Sequence, residues 1–143
     1  NFIKTMIQLA KKQDELKVVN DQIGAPTGAE LIADVTALCL YQIAQYNNSA
    51  HNLSGTYHLT PTGETSWHGF AQFIIAEALG LGVKFRASFE NVQAISTSEY
   101  PLPAKRPSNS LLDTKKICNT FNVYMPPWQT HVERLFKELY SQR

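Results

Sequence analysis

Several hallmarks of common protein classes are missing from this 143-residue sequence. No apolar run approaches the roughly 20 residues of a membrane-spanning helix, and the first residues do not form a signal peptide. The formal net charge is only +1, which gives no electrostatic footprint for nucleic acid or for an anionic membrane. We therefore expect a soluble, cytoplasmic protein that binds neither nucleic acid nor a membrane.

Cysteine is scarce as well. The chain has only Cys39 and Cys118, which lie far apart and belong to no CxxC or Cys/His ligand pattern. The four histidines are scattered without the spacing of metal ligands. We expect both cysteines to be buried, reduced thiols rather than a disulfide or a zinc site.

The motifs of nucleotide-dependent catalysis are absent too. The sequence has no Gly-x-Gly-x-x-Gly turn and no P-loop. None of its six tyrosines is followed by a lysine four residues later, so the Tyr-x-x-x-Lys pair of short-chain reductases is missing. The sequence therefore predicts no catalytic and no cofactor-binding residue of its own.

What is present is a regular alternation of apolar patterns, with 43% hydrophobic residues. Helical periodicity predicts helices over residues 2–12, 28–45, 66–80, 113–121 and 128–140, and short alternating runs predict strands over residues 16–19, 55–60 and 84–87. We expect an α/β fold, a small mixed domain of helices on a few short strands, in which residues 1–143 form one domain. The first residue is Asn rather than Met, which indicates part of a longer chain.

Capping residues and apolar spacing further define the predicted helices. Thr27 and Glu30 have the spacing of a capping box for the helix 28–45, and Asp113 lies where a helix dipole favours a carboxylate. Trp67 and Phe70 recur at helical spacing and are expected in the core. The last helix places five apolar residues on one face that should pack on the core: Trp128, Val132, Leu135, Phe136 and Leu139.

A proline-interrupted segment, residues 96–107, is the main candidate binding element and is called the arginine loop below. Lys105 and Arg106 lie between Pro103 and Pro107, and prolines leave little conformational entropy to be lost on binding an anion. An arginine fork suits a diphosphate. The alternative is a solvated loop whose Arg106 caps a neighbouring helix, and composition alone leaves both open.

Several linked motifs carry a family resemblance. They are VNDQIGAPTGAELIAD at residues 19–34, GTYH at 55–58, SWHGFA at 66–71, KRPSNS at 105–110 and PPWQ at 126–129. Together they closely resemble the dTDP-4-dehydrorhamnose reductases, a family of the extended short-chain dehydrogenase/reductase group. The match runs in order along the whole chain.

The resemblance implies the C-terminal, substrate-binding portion of a Rossmann-type reductase. The family reduces the 4-keto group of dTDP-6-deoxy-L-lyxo-4-hexulose with NADPH or NADH, giving dTDP-L-rhamnose. Its nucleotide-binding turn and its catalytic Ser/Thr-Tyr-Lys group lie upstream of the segment that this chain resembles. The implied cofactor, NADPH or NADH, would therefore be bound by an N-terminal domain that is absent here.

The resemblance also implies residues that contact a dTDP-sugar. Gln22 and Thr27 lie in the loop that faces the sugar nucleotide, and Arg106 stands where related enzymes carry a diphosphate-binding arginine. Lys105 and Ser110 are further candidates. Three alternatives remain open: Thr27 as a helix cap, Lys105 as a solvated side chain, and Ser110 as a cap of the helix that follows.

Some members of the family are dimers bridged by magnesium through glutamates. Glu30 and Glu138 stand at the corresponding positions, and hard carboxylate oxygens suit Mg²⁺. The resemblance thus implies a homodimer with magnesium at its interface. Alternatively, Glu30 belongs only to the capping box and Glu138 only solvates its helix.

Three functional hypotheses follow. The first is the substrate domain of a rhamnose-pathway reductase, inactive without its cofactor domain. The second is a non-catalytic relative of the same superfamily that binds and regulates another enzyme. The third is an oligomerisation module without nucleotide affinity.

Overall fold

The computed structural model describes residues 1–45, 53–101 and 103–140. Its helices and strands follow in the order α1 (Phe2–Lys12), β1 (Leu16–Val19), β2 (Ile23–Gly24), α2 (Ala29–Gln45), β3 (Thr65–Ser66), α3 (Trp67–Gly80), β4 (Val92–Ile95), α4 (Lys115–Phe121) and α5 (Trp128–Tyr140). Short 3₁₀ turns at Phe89–Asn91 and Thr97–Glu99 flank β4. The expected mixture of helices and short strands is confirmed. No helix in the described ranges is long and apolar enough to cross a membrane.

Helix α1 forms where the sequence predicts it. The Asn1 side chain caps its start by accepting a hydrogen bond from the Ile3 N–H at 3.0 Å. Four apolar residues at helical spacing are buried along one side: Ile3, Met6, Ile7 and Ala10. This pattern fixes which face of α1 packs inward.

Two of the strands, β1 and β4, form a parallel pair. β1 pairs with β4, from Leu16 opposite Val92 to Val19 opposite Ile95. Parallel strands need a crossover connection, and here the connection contains α2 and α3. Both strands pack against α3, which is therefore the central element of the fold.

A second pair of strands is antiparallel. β2 pairs with β3, with Ile23 opposite Ser66 and Gly24 opposite Thr65. The Ser66 hydroxyl accepts from the Gly69 N–H at 2.9 Å, which caps α3, and donates to Asn20 Oδ1 at 2.6 Å. These bonds hold the loop after β1 against the first turn of α3.

The buried apolar residues form two clusters. The larger one joins α1, α3, α5 and the β1–β4 pair, and Phe136 and Ile74 are fully buried in it. The smaller one joins α2 and α4 through six residues: Leu31, Val35, Cys39, Ile117, Phe121 and Met125. The helix α2 thus packs through a single narrow stripe.

Two predicted strands are wrong. Residues 55–60 form no strand; just after them, Thr62 forms an isolated bridge with Pro127, in which the Thr62 N–H donates to Pro126 O at 2.9 Å. Residues 84–87 do not form one either, because the N–H groups of Arg86 and Ala87 both donate to Ala10 O at the end of α1. The place beside β1 is taken by β4, which the sequence analysis missed.

Smaller corrections concern caps and burial. Helix α2 begins at Ala29, one residue later than predicted. The position that caps it is therefore Gly28, and Thr27 does not form the predicted capping box. Trp67 is 38% exposed and Leu139 is 42% exposed, so neither is the core residue expected. Both cysteines are free, as predicted, but only Cys39 is buried. Burial raises the pKa of the Cys39 thiol.

Candidate functional site

Two clefts of about 680 Å³ each open beside the β2–β3 pair. The first cleft lies between the start of α1, the loop 24–30 and the helix α5. The second cleft lies between α1, β1 and the arginine loop. Phe2, Gln22 and Trp67 line both, so the two clefts adjoin at these side chains.

An aromatic group separates the clefts. The Phe2 ring lies 4.8 Å from the Trp67 ring and stacks on Phe70 at 5.3 Å. Trp67 lies in the first turn of α3, where it lines both clefts. The clefts leave it partly exposed, so its predicted burial is wrong. The sequence gives no local signal that α1 would bring Phe2 to this place.

Gln22 is the predicted binding residue that reaches both clefts. Its Nε2 donates to the Thr97 hydroxyl at 3.0 Å. The side-chain oxygen of the same amide, Oε1, has no hydrogen-bond partner within residues 1–45, 53–101 and 103–140. The fixed amide therefore presents its side-chain oxygen as an acceptor and its second N–H as a donor to the clefts.

Thr27 and Ser110 both line the first cleft. The Thr27 hydroxyl donates to Ala25 O at 2.9 Å instead of capping α2. The Ser110 hydroxyl donates to Ile23 O at 3.0 Å. Helix α4 begins at Lys115, and its first N–H is bonded by Asp113 Oδ1 at 2.8 Å, so Ser110 is not the cap of that helix.

Lys105 and Arg106 line the second cleft. Both side chains are exposed, and neither makes a hydrogen bond or an ion pair with any residue that the structure describes. The alternative in which Arg106 caps a neighbouring helix is thus not realised. The floor below them is largely apolar and contains Met6, Leu9 and Val18.

The five predicted substrate contacts are therefore divided between the clefts. Thr27 and Ser110 belong to the first, Lys105 and Arg106 to the second, and Gln22 to both. Their role in binding stays a prediction.

The two predicted magnesium ligands, Glu30 and Glu138, meet at one arginine. Arg134 Nε lies 3.3 Å from Glu138 Oε1 and 3.8 Å from Glu30 Oε2. This contact brings the start of α2 to the end of α5. Among the described residues, no group of three or more His, Cys, Asp or Glu side chains could hold a metal ion.

His131 is a site residue that the sequence analysis did not single out. It lines the first cleft from α5, and both of its ring nitrogens are buried without a hydrogen-bond partner in the described part of the chain. A Cβ atom added to Gly28 would lie 3.3 Å from the His131 Cβ. Because 103 residues of chain separate the two positions, no local pattern could reveal this contact.

Comparison with known proteins gives the same assignment along the whole chain. Residues 1–141 match the family model described as the RmlD substrate binding domain. The chain is 43% identical to the dTDP-4-dehydrorhamnose reductase of Shigella flexneri and 42% identical to that of Escherichia coli K12. Each alignment covers 99% of this chain and 45% of the relative.

Solved structures agree. A dTDP-4-dehydrorhamnose reductase ortholog from Clostridium acetobutylicum is similar with a TM-score of 0.71 and 32% identity, over 97% of this chain and 44% of that one. The Bacillus anthracis reductase, in complex with NADP, has a TM-score of 0.69 and 34% identity, over 96% and 43%. The chain spans less than half the length of the curated relatives that it matches. It belongs to the RmlD substrate-binding domain family.

Proposed function

We propose that this chain is the substrate-binding part of a dTDP-4-dehydrorhamnose reductase, working in the cytoplasm as a single C-terminal domain. The whole enzyme would reduce the 4-keto group of dTDP-6-deoxy-L-lyxo-4-hexulose to give dTDP-L-rhamnose. The observation that carries the proposal is the pair of cations Lys105 and Arg106, which have no partner among the described residues and lie above the apolar floor of the second cleft. Such a site suits an anion attached to an apolar body, as in a deoxynucleoside diphosphate.

In this proposal Arg106 binds the diphosphate. A guanidinium offers a planar fork of N–H donors that matches two phosphate oxygens, and hydrogen bonds of this charged kind are the strong ones. No carboxylate among the described residues neutralises Arg106. Lys105 adds a second positive charge beside it.

The other three residues would orient the sugar. The hydroxyls of Thr27 and Ser110 already donate to backbone carbonyl oxygens, and the amide of Gln22 donates to Thr97. The two hydroxyls have only acceptor capacity left, whereas Gln22 keeps its side-chain oxygen and a second N–H. We therefore expect them to accept hydrogen bonds from hydroxyl groups of the sugar.

The chain would bind and orient the substrate but would not transfer hydride. NADPH or NADH supplies the hydride when it is bound, and we assign that cofactor to an N-terminal domain. The Bacillus anthracis relative, which is more than twice as long as the matched region, is a complex with NADP. The chain by itself should therefore bind dTDP and show no turnover.

Calorimetric titration with dTDP, with UDP as the comparison ligand, tests this function. We expect dTDP to bind and Arg106→Ala to weaken binding by about 10- to 100-fold, the range for losing a hydrogen bond to a charged group. Lys84→Ala is the matched control, because Lys84 is exposed and lies outside both clefts.

Unchanged affinity in Arg106→Ala would contradict the diphosphate role. A chain that binds neither nucleotide would contradict the sugar-nucleotide site and favour the oligomerisation module. A full-length protein that binds dTDP but never oxidises NADPH would favour the regulatory relative.

Magnesium at a homodimer interface is a separate part of the proposal. Glu30 and Glu138 fit half of such a site, since their carboxylates are partly exposed and converge on one surface. Mg²⁺ usually keeps several waters and takes few carboxylates, so waters and the glutamates of a second copy would complete the coordination. The ion would serve as a bridge between chains.

Sedimentation velocity with and without Mg²⁺ tests this part. We expect Mg²⁺ to increase the dimer fraction, and Glu30→Gln to remove that increase. Glu64→Gln is the control, because Glu64 is exposed and forms no ion pair with any described residue. A dimer fraction that ignores Mg²⁺ would contradict the metal bridge.

A further inference from the structure

The arginine loop is attached at both ends to the same tripeptide, residues 21–23. At its start, the Thr97 N–H donates to both carboxylate oxygens of Asp21 at 3.0 Å, and the Thr97 hydroxyl donates to Asp21 Oδ1 at 2.6 Å. Just past its end, the Ile23 N–H donates to Ser108 O at 2.8 Å, and the Ser110 N–H donates to Ile23 O at 2.9 Å. Both anchors lie in the segment that also carries Gln22.

The two attachments differ in kind. The one at Ile23 is made by backbone groups, which any sequence could supply. The one at Asp21 depends on side chains and is solvent-exposed. Hydrogen bonds from Thr97 lower the pKa of the Asp21 carboxyl, so the carboxylate is charged at neutral pH and accepts strongly.

Thr97 itself sits on a rigid turn. It begins the 3₁₀ turn Thr97–Glu99, in which Glu99 Oε2 accepts from both the N–H and the hydroxyl of Ser96 at 2.8 Å. Pro101 and Pro103 restrict the backbone between this turn and Arg106, and Pro107 restricts Arg106 itself. Fixing Thr97 therefore restricts where the two cations can lie.

The same hydroxyl also fixes Gln22. Thr97 Oγ1 donates to Asp21 and accepts from Gln22 Nε2 at 3.0 Å. One side-chain oxygen thus joins the loop that carries Lys105 and Arg106 to the amide that lines both clefts.

We propose that Thr97 is a positioning residue, whose hydroxyl holds the arginine loop and Gln22 in the arrangement that a sugar nucleotide meets on binding. The inference rests on the proposed function, because it assigns the ligand to these clefts. Its physical basis is preorganisation: a loop that is already ordered loses less entropy when it grips an anion. Thr97 lines the second cleft, but its hydroxyl is already engaged with Asp21 and Gln22, so in this proposal it acts by fixing them rather than by bonding the ligand.

Two variants isolate the hydroxyl. Thr97→Val keeps the shape of the side chain and the backbone bond to Asp21, but removes the hydroxyl. Thr97→Ser restores the hydroxyl. Thr36→Val is the matched control, since Thr36 is exposed on α2 and its side chain makes no hydrogen bond with any described residue.

Two readouts are needed on the 143-residue chain. Amide hydrogen exchange, followed by mass spectrometry without ligand, reports the order of residues 96–101 and 103–107. Calorimetry reports the dTDP affinity. We expect Thr97→Val to speed exchange in the arginine loop and to weaken dTDP binding about tenfold, the loss expected from two side-chain hydrogen bonds. Thr97→Ser and Thr36→Val should resemble the wild type in both.

Each other outcome overturns the proposal in its own way. Unchanged loop exchange in Thr97→Val would mean that the hydroxyl does not order the loop. Faster exchange with unchanged dTDP affinity would make Thr97 merely structural. A wild-type chain that binds no dTDP would overturn the proposed function, and with it the assignment of Thr97 to ligand positioning, whatever the exchange data give.

Discussion

The two clefts use their polar groups in different ways. In the first cleft, the hydroxyls of Thr27 and Ser110 are engaged with backbone carbonyl oxygens of the same chain. In the second cleft, Lys105 and Arg106 have no partner in the part of the chain that the structure describes. The first cleft is therefore built into the hydrogen bonding of the fold, whereas the cations of the second are available to a ligand.

Because of this difference, substitutions in the first cleft should change the stability of the fold, whereas substitutions of the cations in the second cleft should change ligand affinity. A substitution in the wall of the first cleft should break contacts that the folded chain makes with itself. Arg106→Ala should leave the free energy of unfolding within about 0.5 kcal/mol of the wild type, as surface substitutions without specific contacts usually do. Binding variants can thus be found in the second cleft without loss of fold.

Gly24→Ala should produce the largest change in stability. A Cβ atom at Gly24 would lie 2.7 Å from the Ser110 hydroxyl, so the hydroxyl must move and lose its bond to Ile23 O. We expect the free energy of unfolding to fall by about 1 kcal/mol, the usual net value of one hydrogen bond. Urea unfolding followed by circular dichroism measures it.

Gly80→Ala is the control for that substitution. Gly80 is the last residue of α3, and an added Cβ there would meet no atom within 4 Å. Ser110→Ala combined with Gly24→Ala should recover part of the loss, because the crowded oxygen is gone. Equal stability of Gly24→Ala and the wild type would refute the close contact on which the first cleft depends.

The elements that the sequence predicted well are those defined by neighbouring residues. Asn1 and Ser66 cap their helices through hydrogen bonds to residues two and three positions later. The strand β4 was missed because its partner β1 lies 76 residues earlier. The alternation in residues 84–87 predicted a strand, but those residues bind the end of α1 instead.

In the candidate site, too, residues defined by local sequence could be predicted and residues defined by distant contacts could not. Lys105 and Arg106 were found because prolines and cations adjoin in the sequence, and they do line a cleft. The sequence does not reveal Thr97 or His131, because each contacts a residue far away along the chain. Thr27 was assigned as a cap from spacing alone, and a shift of one residue in the start of α2 was enough to make that wrong.

The smallest expected effect concerns the Asp21 carboxylate, which accepts hydrogen bonds from Thr97. The Thr97 hydroxyl, and then the Thr97 N–H, lower the pKa of Asp21. The folded chain therefore favours the ionised form more than the unfolded chain does. The resulting stabilisation is complete above the ordinary aspartate pKa of about 4 and is lost as the pH falls through the lowered value.

Urea unfolding of the wild type and Asp21→Asn between pH 6 and pH 3 would measure this loss. We expect the wild type to be the more stable of the two at pH 6 and the difference to shrink toward pH 3. Glu99, whose pKa is lowered mainly by hydrogen bonds from Ser96 and also by Lys17, adds its own pH dependence, and because the Asp21 charge raises the Glu99 pKa, Asp21→Asn lowers it slightly further. A constant difference between the two chains across this range would show that the charge of Asp21 does not hold the arginine loop. The arginine loop would then be held by the bonds of the Thr97 hydroxyl at its start and by the backbone bonds at Ile23 just past its end.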